Sequence, residues 1–478
     1  MLWAKKKEAE AASEKPPGEE PAPTRSASTE DADPDVDVLE VPANIFSEGG
    51  KNYRTMGRWD TALVLITNQV GMGILSLPST MQVLGLVPGI IAIVGLGLLS
   101  TYTAYELLQF YRRYPHVVNV VDMARVVGGK TLEVIVGICV VLKLLLTCAS
   151  ATVTLSVAFN TMSEHAMCTV GWIGVSAVLC WLVCLPREFK FVAHMGIPCT
   201  ISIFAAVLIV IISLGIADPK GAPVGGFDKE IEVVGSPSFQ DGLNACLQIC
   251  YAYAGNVGFV SYMAEMKNPS KDFVPALIAM QVFSIPLYLL VAVAIYCLAG
   301  QYTSSPALGS APEIPAKVAY GIVLPALLGT GLVFGHTAVK YLYVVGMRAL
   351  KSTHQVTDRS AKSWGVWVGS ATCFWVVAFI IANAIPIFNS ILSISSATFI
   401  AWFTFGISAV FWFFLNWGRL LSTKAKIALT VLNTLIIIQA FFMNAAGLWT
   451  AITGLLDIFN GDGSEITGAF TCADNSLF

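Results

Sequence analysis

Charge is scarce in this chain. Of its 478 residues only 12% are Asp, Glu, Lys or Arg, whereas 55% are hydrophobic and the mean hydropathy is +0.70. Soluble domains are roughly a quarter charged, so an ordinary soluble fold is excluded and lipid is the expected solvent. The 28 basic and 31 acidic residues leave a net charge of −3. They lie at the ends of apolar runs or in one tail and form no basic patch, which removes nucleic acid as a partner. Histidine is rarer still, with five in all. No HExxH or GxSxG setting falls in an apolar run, so no enzyme is expected. No run carries the regular polar stripe that a channel needs.

Cysteine is present but not as a framework. Of eleven, most (Cys139, Cys148, Cys180, Cys184, Cys246, Cys250 and Cys373) lie inside apolar runs, where Cys behaves as a small hydrophobe. They form no metal cluster, and no cofactor is expected. Only Cys168 and Cys472 lie in segments expected outside, where an oxidising exterior leaves a bridge between them open.

The first fifty residues are a different material, rich in Pro, Glu, Ala and Ser, and cannot bury enough apolar surface to fold alone. Lys5 to Lys7 precede no apolar core or cleavage site, so no signal peptide is expected. The chain divides into a disordered cytosolic tail over 1–54, open to regulatory partners, a membrane domain over 55–457, and an extracytosolic tail over 458–478.

About 20 apolar residues cross a bilayer. Such runs occur at 61–84, 86–111, 132–162, 170–186, 191–217, 241–264, 274–299, 315–347, 363–385, 387–415 and 427–457, giving eleven expected spans. The charge-free stretch 363–418 is too long for one crossing, and Asn383 to Asn389 around Pro386 mark its turn. With the N-terminus inside, cytosolic segments hold 23 of the 28 Lys and Arg. Outside segments hold only Lys220 and Lys229, which predicts N-in, C-out.

Two spans are interrupted. Span one carries Gly71, Gly73 and Pro78, and span six carries Gly255, Asn256 and Gly258, where lipid-facing helices favour Leu, Ile or Val. Irregular backbone at bilayer depth is tolerated only where it is buried in protein or lines a cavity. The breaks open two consecutive sets of five spans, and an odd number inverts the second set, as in inverted-repeat transporters. The plainer reading is that these glycines only let helices pack closely. Unwinding would expose the N–H groups of Gly71, Met72 and Gly73, just before Ile74, at the positive end of a half-helix suited to a carboxylate. Carbonyls around Tyr253, Ala254 and Gly255 would accept an ammonium. Asn256 adds a polar group to that break.

GMGILSLP in span one, YAYAGN with YMAEMKNPSKDF in span six, and the eleven-span layout resemble the amino acid/auxin permease family over roughly 55–457, and most closely its fungal neutral amino acid permeases. The resemblance implies an all-α fold like that of the bacterial leucine transporter, five plus five inverted helices and one more. It also implies free amino acids as substrate, moved with protons or, in one branch, with sodium. Thr147 and Ser150 lie in span three, which lines the site in that fold, although both also suit back-bonding to their own helix. In the sodium branch an Asn of span one and a Thr of span eight help hold the ion. Here Asn68 is displaced by one residue and Thr67 takes its place, which argues against sodium.

Span eight contains His336, Thr337 and Lys340, expected to face the break in span one and to carry proton coupling. Lys340 is an expensive charge that needs a partner, with Glu106 and Glu265 available. Glu106 also suits pairing with Arg112 or Arg113, and Lys143 suits cytosolic water. The bundle shows no acid near the breaks, so neutral amino acids, aliphatic or aromatic, are the expected cargo. A receptor that binds an amino acid and signals through its tail would share this site. The plasma membrane is the expected location, with the vacuolar or lysosomal membrane as the alternative.

Overall fold

A computed structural model describes residues 54, 56–187, 189–223, 226–352, 360–460 and 468–475, with only the backbone over 189–195. The tail expected over 1–54 therefore lies almost wholly outside the described residues, as does 461–467 of the C-terminal tail. Lipid offers backbone groups no hydrogen-bond partners, so a spanning chain must satisfy them within helices. The described secondary structure is accordingly helical: α1 (Arg58–Gln69), α2 (Leu77–Leu84), α3 (Leu86–Arg113), α4 (Val120–Ser163), α5 (Thr169–Cys184), α6 (Phe189–Ile216), α7 (Phe239–Ala252), α8 (Asn256–Glu265), α9 (Pro269–Ala299), α10 (Glu313–Ala349), α11 (Ala361–Ala384), α12 (Phe388–Ser395), α13 (Ile407–Asn416) and α14 (Lys424–Asn460).

Among the described residues, eight helices are long and apolar enough to cross a membrane, or nine with the bent pair Arg58–Gln69 and Met72–Leu84 taken as one span. The 16 residues of α5 fall short by length. The pair α7 and α8, broken in the middle, is not among the nine.

Two elements differ from expectation. Residues 120–127, expected in a cytosolic loop, are helical, because the Asn119 side chain accepts from Asp122 N at 2.9 Å and caps that turn. Gly128 and Gly129 then bend the chain into the span, and Gly129 sits at φ 63°, which only glycine adopts readily. The run 387–415 is not one regular helix. A π-helical stretch, Ser396–Gly406, separates α12 from α13, and side-chain amides meet its freed carbonyls. Asn444 donates to Ala397 O at 2.9 Å, and Asn256 donates to Thr404 O at 3.1 Å.

The expected turn at Asn383–Asn389 is present between α11 and α12. Cys168 and Cys472 are joined as a disulfide, Cα to Cα 4.6 Å, which holds 468–475 against the start of α5. Asn475 is buried beside it and receives a hydrogen bond from Asn160 at 2.6 Å.

Candidate functional site

Both expected breaks are present, and they touch. The helix α1 ends at Gln69, Gly71 is extended (φ −131°, ψ −152°), and Met72–Ser76 form a tight turn before α2, with an overall bend of 44°. Gly71 accepts from Ile74 N at 3.3 Å, so Met72 and Gly73 supply the first N–H groups of that turn, which helix geometry leaves without acceptors. In the second break, Tyr253, Ala254 and Gly255 separate α7 from α8.

Gly73 packs on the other break. A Cβ added there would lie 2.7 Å from Ala252 Cα. Asn68 Nδ2 donates to Gly255 O at 3.3 Å, and Asn68 Oδ1 accepts from Tyr262 at 3.2 Å. The Tyr288 hydroxyl of α9 lies 2.8 Å from Gln69 O and 3.0 Å from Ala252 O, one freed carbonyl from each break. Tyr288→Phe leaves both carbonyls without that donor, at about 1–3 kcal/mol. Lower thermal stability and slower uptake are expected, and unchanged values would show the bridge to be dispensable.

The junction borders a cavity of about 80 Å³. Its lining comes from Thr67 to Gly73 of the first break, Lys143 and Thr147 of α4, and Tyr251, Ala254 and Gly255 at the second break. Gly196, Cys199 and Ile203 of α6 and Ala326, Gly329, Thr330, Val333 and Phe334 of α10 complete it. Residues of both breaks thus line one space. Such a space suits a zwitterion, a carboxylate at the helix start and an ammonium near the carbonyls.

The other expected site residues fall in different places. Ile74 borders an adjoining apolar pocket with Phe204, Phe283 and Leu287. Thr147 reaches the cavity while its hydroxyl donates back to Lys143 O at 3.0 Å. Ser150, fully buried, lies behind it at 3.1 Å from the Tyr251 hydroxyl. The Tyr253 side chain leaves the cavity and donates to Ile93 O at 3.0 Å.

Asn256 does not line the cavity either. It is fully buried, its Nδ2 within 3.1 Å of Ser100 O, Thr103 Oγ1 and Thr404 O, and its Oδ1 accepts from Ser100 at 3.2 Å. Its polarity ties α8 to α3 and to the π-helical stretch.

Span eight also departs from expectation. His336 is buried with Nε2 3.1 Å from Pro186 O and its ring 5.3 Å from Trp367, so it faces α11 and the end of α5 instead of the first break. One residue on, Thr337 is exposed and donates to Val333 O at 2.7 Å. Partly buried Lys340 feels the charge of Glu265. Glu106 is buried beside Tyr102 and Asn433, whereas Arg112 donates to Ser270 O at 2.6 Å. Sequence reasoning missed Lys143 and Tyr251 as cavity residues. Lys143 precedes Thr147 by four positions, and that i, i+4 spacing puts both on one helix face.

Residues 54–453 match the family described as transmembrane amino acid transporter protein. The chain belongs to that family. It is 30% identical over 434 residues to the N amino acid transport system protein of Neurospora crassa, covering 89% of this chain and 90% of that one. It is also 30% identical over 439 residues to a transmembrane transporter of Gibberella moniliformis, covering 91% of each. Among solved structures, its fold is similar to that of Mhp1, a nucleobase-cation-symport-1 family transporter in a closed conformation with bromovinylhydantoin bound. The TM-score is 0.53 and the identity 14%, over 85% of this chain and 94% of Mhp1. The chain is thus a multi-pass membrane protein of a transporter family, all-helical and with a transporter fold.

Proposed function

We propose that this chain is a secondary active transporter of neutral amino acids, driven by protons through alternating access, on a frame of eleven spans in two inverted sets of five plus one. The observation that carries the reading is the meeting of the two breaks around one cavity. Counting α5 and the broken α7 and α8 as spans gives eleven. The substrate carboxylate binds at the N–H groups of Met72 and Gly73, and the ammonium on the side of Ala254, because Gly255 O already accepts from Gly258 N and from Asn68 Nδ2.

Proton coupling fits better than sodium because both ends of the Asn68 amide are engaged, with Gly255 and with Tyr262. At the end of the bundle where α1 begins, Met56 pairs with Met266 and Arg58 forms a 2.9 Å ion pair with Asp272. Alternating access would open these contacts.

The N-in, C-out orientation draws support from the Lys and Arg bias and from the Cys168–Cys472 bond, which an oxidising exterior favours. The plasma membrane is the proposed location, and the N-terminal tail the proposed docking point for regulatory partners.

No carboxylate lines the cavity among the described residues. A cationic side chain at this depth therefore meets no counter-charge. At roughly 10–15 Å³ per water, the cavity holds about six waters, so small neutral amino acids fit it directly and larger ones require side-chain movement. In proteoliposomes with an acidic exterior, leucine, alanine and phenylalanine are expected to compete for uptake and arginine is not. Uptake is expected to persist without sodium. Competition by arginine equal to that by leucine would overturn neutral specificity, and an absolute sodium requirement would overturn proton coupling.

A further inference from the structure

Among the described residues, Lys143 is the charged side chain of the cavity lining. It is 2% exposed, with Nζ 4.9 Å from the centre of the Phe334 ring. Among the described residues its ammonium has no hydrogen bond or ion pair. Among the described residues, the titratable groups around it are Cys148 on its own helix, Tyr251 of α7 and Cys199 of α6, with Cys180 and Cys184 of α5 behind Cys148. None of the cavity residues from the first break or from α10 ionises. Glu265 of α8 and Lys340 of α10 lie near enough to feel each other's charge. The ring face of Phe334 offsets part of a positive charge, but no anion is at hand among the described residues, and an uncompensated charge in a bundle is costly.

We propose that Lys143 is the residue that takes up and releases the coupled proton, with the substrate carboxylate as its counter-charge. The inference rests on the proton-driven reading above and assigns the coupling to the cavity instead of to span eight. An amino acid bound at the first break brings its carboxylate into the space that holds Lys143. The carboxylate favours the protonated lysine, and by thermodynamic reciprocity the protonated lysine favours the carboxylate. The cavity therefore fills with both charges or neither. When the carboxylate leaves on the far side, the ammonium loses its partner and gives its proton to water there. Lys340 already has an opposing charge in Glu265 and does not need the substrate for one.

The test uses the purified full chain with leucine and phenylalanine as probes, comparing wild type, Lys143→Gln and Lys143→Arg. Binding is read as ligand-induced thermal stabilisation across pH, and accumulation as uptake into proteoliposomes under an inward proton gradient. Wild-type affinity is expected to weaken as pH rises, by at most about tenfold per pH unit for one linked proton. Lys143→Gln should hold the alkaline wild-type affinity at every pH, and Lys143→Arg the acidic one. Both should lose uphill accumulation.

A variant that keeps the wild-type pH slope, or that accumulates like wild type, would overturn the proposal. Loss of binding at every pH in both variants would also overturn it, by making Lys143 a fixed ligand and not a proton carrier. If the wild type itself shows no gradient-driven accumulation, the proton-driven reading fails first and this inference falls with it.

Discussion

Gly73→Val is expected to abolish amino acid uptake while leaving the protein inserted in the membrane. A Cβ at this position would lie 2.7 Å from Ala252 Cα and 3.0 Å from Ala252 N. Both are backbone atoms of the opposing break and cannot swing aside as a flexible side chain would. Valine adds two further methyl groups with restricted rotamers, so the two breaks must separate. The Asn68 to Gly255 bond and the Tyr288 bridge would be stretched with them. Misplacing binding groups by about 1 Å costs on the order of a hundredfold in enzymes, and a similar loss of uptake is expected here.

Gly71→Ala provides the contrast, because its added methyl would meet no atom beyond its own chain neighbours within 4 Å. It should fold normally and lose less uptake. Surface expression measured beside initial uptake rates separates the two effects. Normal transport by a correctly inserted Gly73→Val protein would show that the breaks need not touch.

Asn256→Leu is expected to lower stability more than substrate affinity. The Asn256 amide serves Ser100 O, Thr103 Oγ1 and Thr404 O, linking three helical elements at one point. Leucine leaves these acceptors buried without that donor and puts a branched apolar group where space was filled by an amide. The cost is about 1–3 kcal/mol, toward the lower end where membrane-buried groups find other partners. Thermal unfolding in detergent should shift down, and transport per folded molecule should change little. Unchanged stability with weakened affinity would return Asn256 to the binding site, where its place in the break had suggested it belonged.

The contrast between Gly73 and Asn256 shows what was legible in the sequence. Helices must satisfy their own backbone in lipid, so apolar run length located most spans. The same rule made glycine clusters in spans one and six visible as breaks. Which way a side chain turns from a break depends on neighbours far along the chain. Asn256 meets Ser100 and Thr404, 156 and 148 positions away, and no local pattern carries that pairing.

His336 shows the same limit. Gly335 before it reads as room for the first break, yet the space is filled by Trp375 and Cys184 from α11 and α5. Apolar all-round helices give no amphipathic stripe to orient them, so Lys340 read as the buried charge and Lys143 as one open to cytosolic water. Only the fold places Lys143 in the cavity and Lys340 beside Glu265. The π-helical interruption of span ten was equally hidden, since no Gly or Pro cluster marks its start.

The central claim is that the two breaks form one amino acid site through which a proton gradient does work. Purified protein reconstituted into sealed proteoliposomes, given radiolabelled leucine or alanine and an inward proton gradient in sodium-free buffer, tests it most directly. The account predicts accumulation above the external concentration, collapsed by a protonophore and absent in Gly73→Val. Equilibration without accumulation, or no uptake at all by correctly folded wild-type protein, would contradict it.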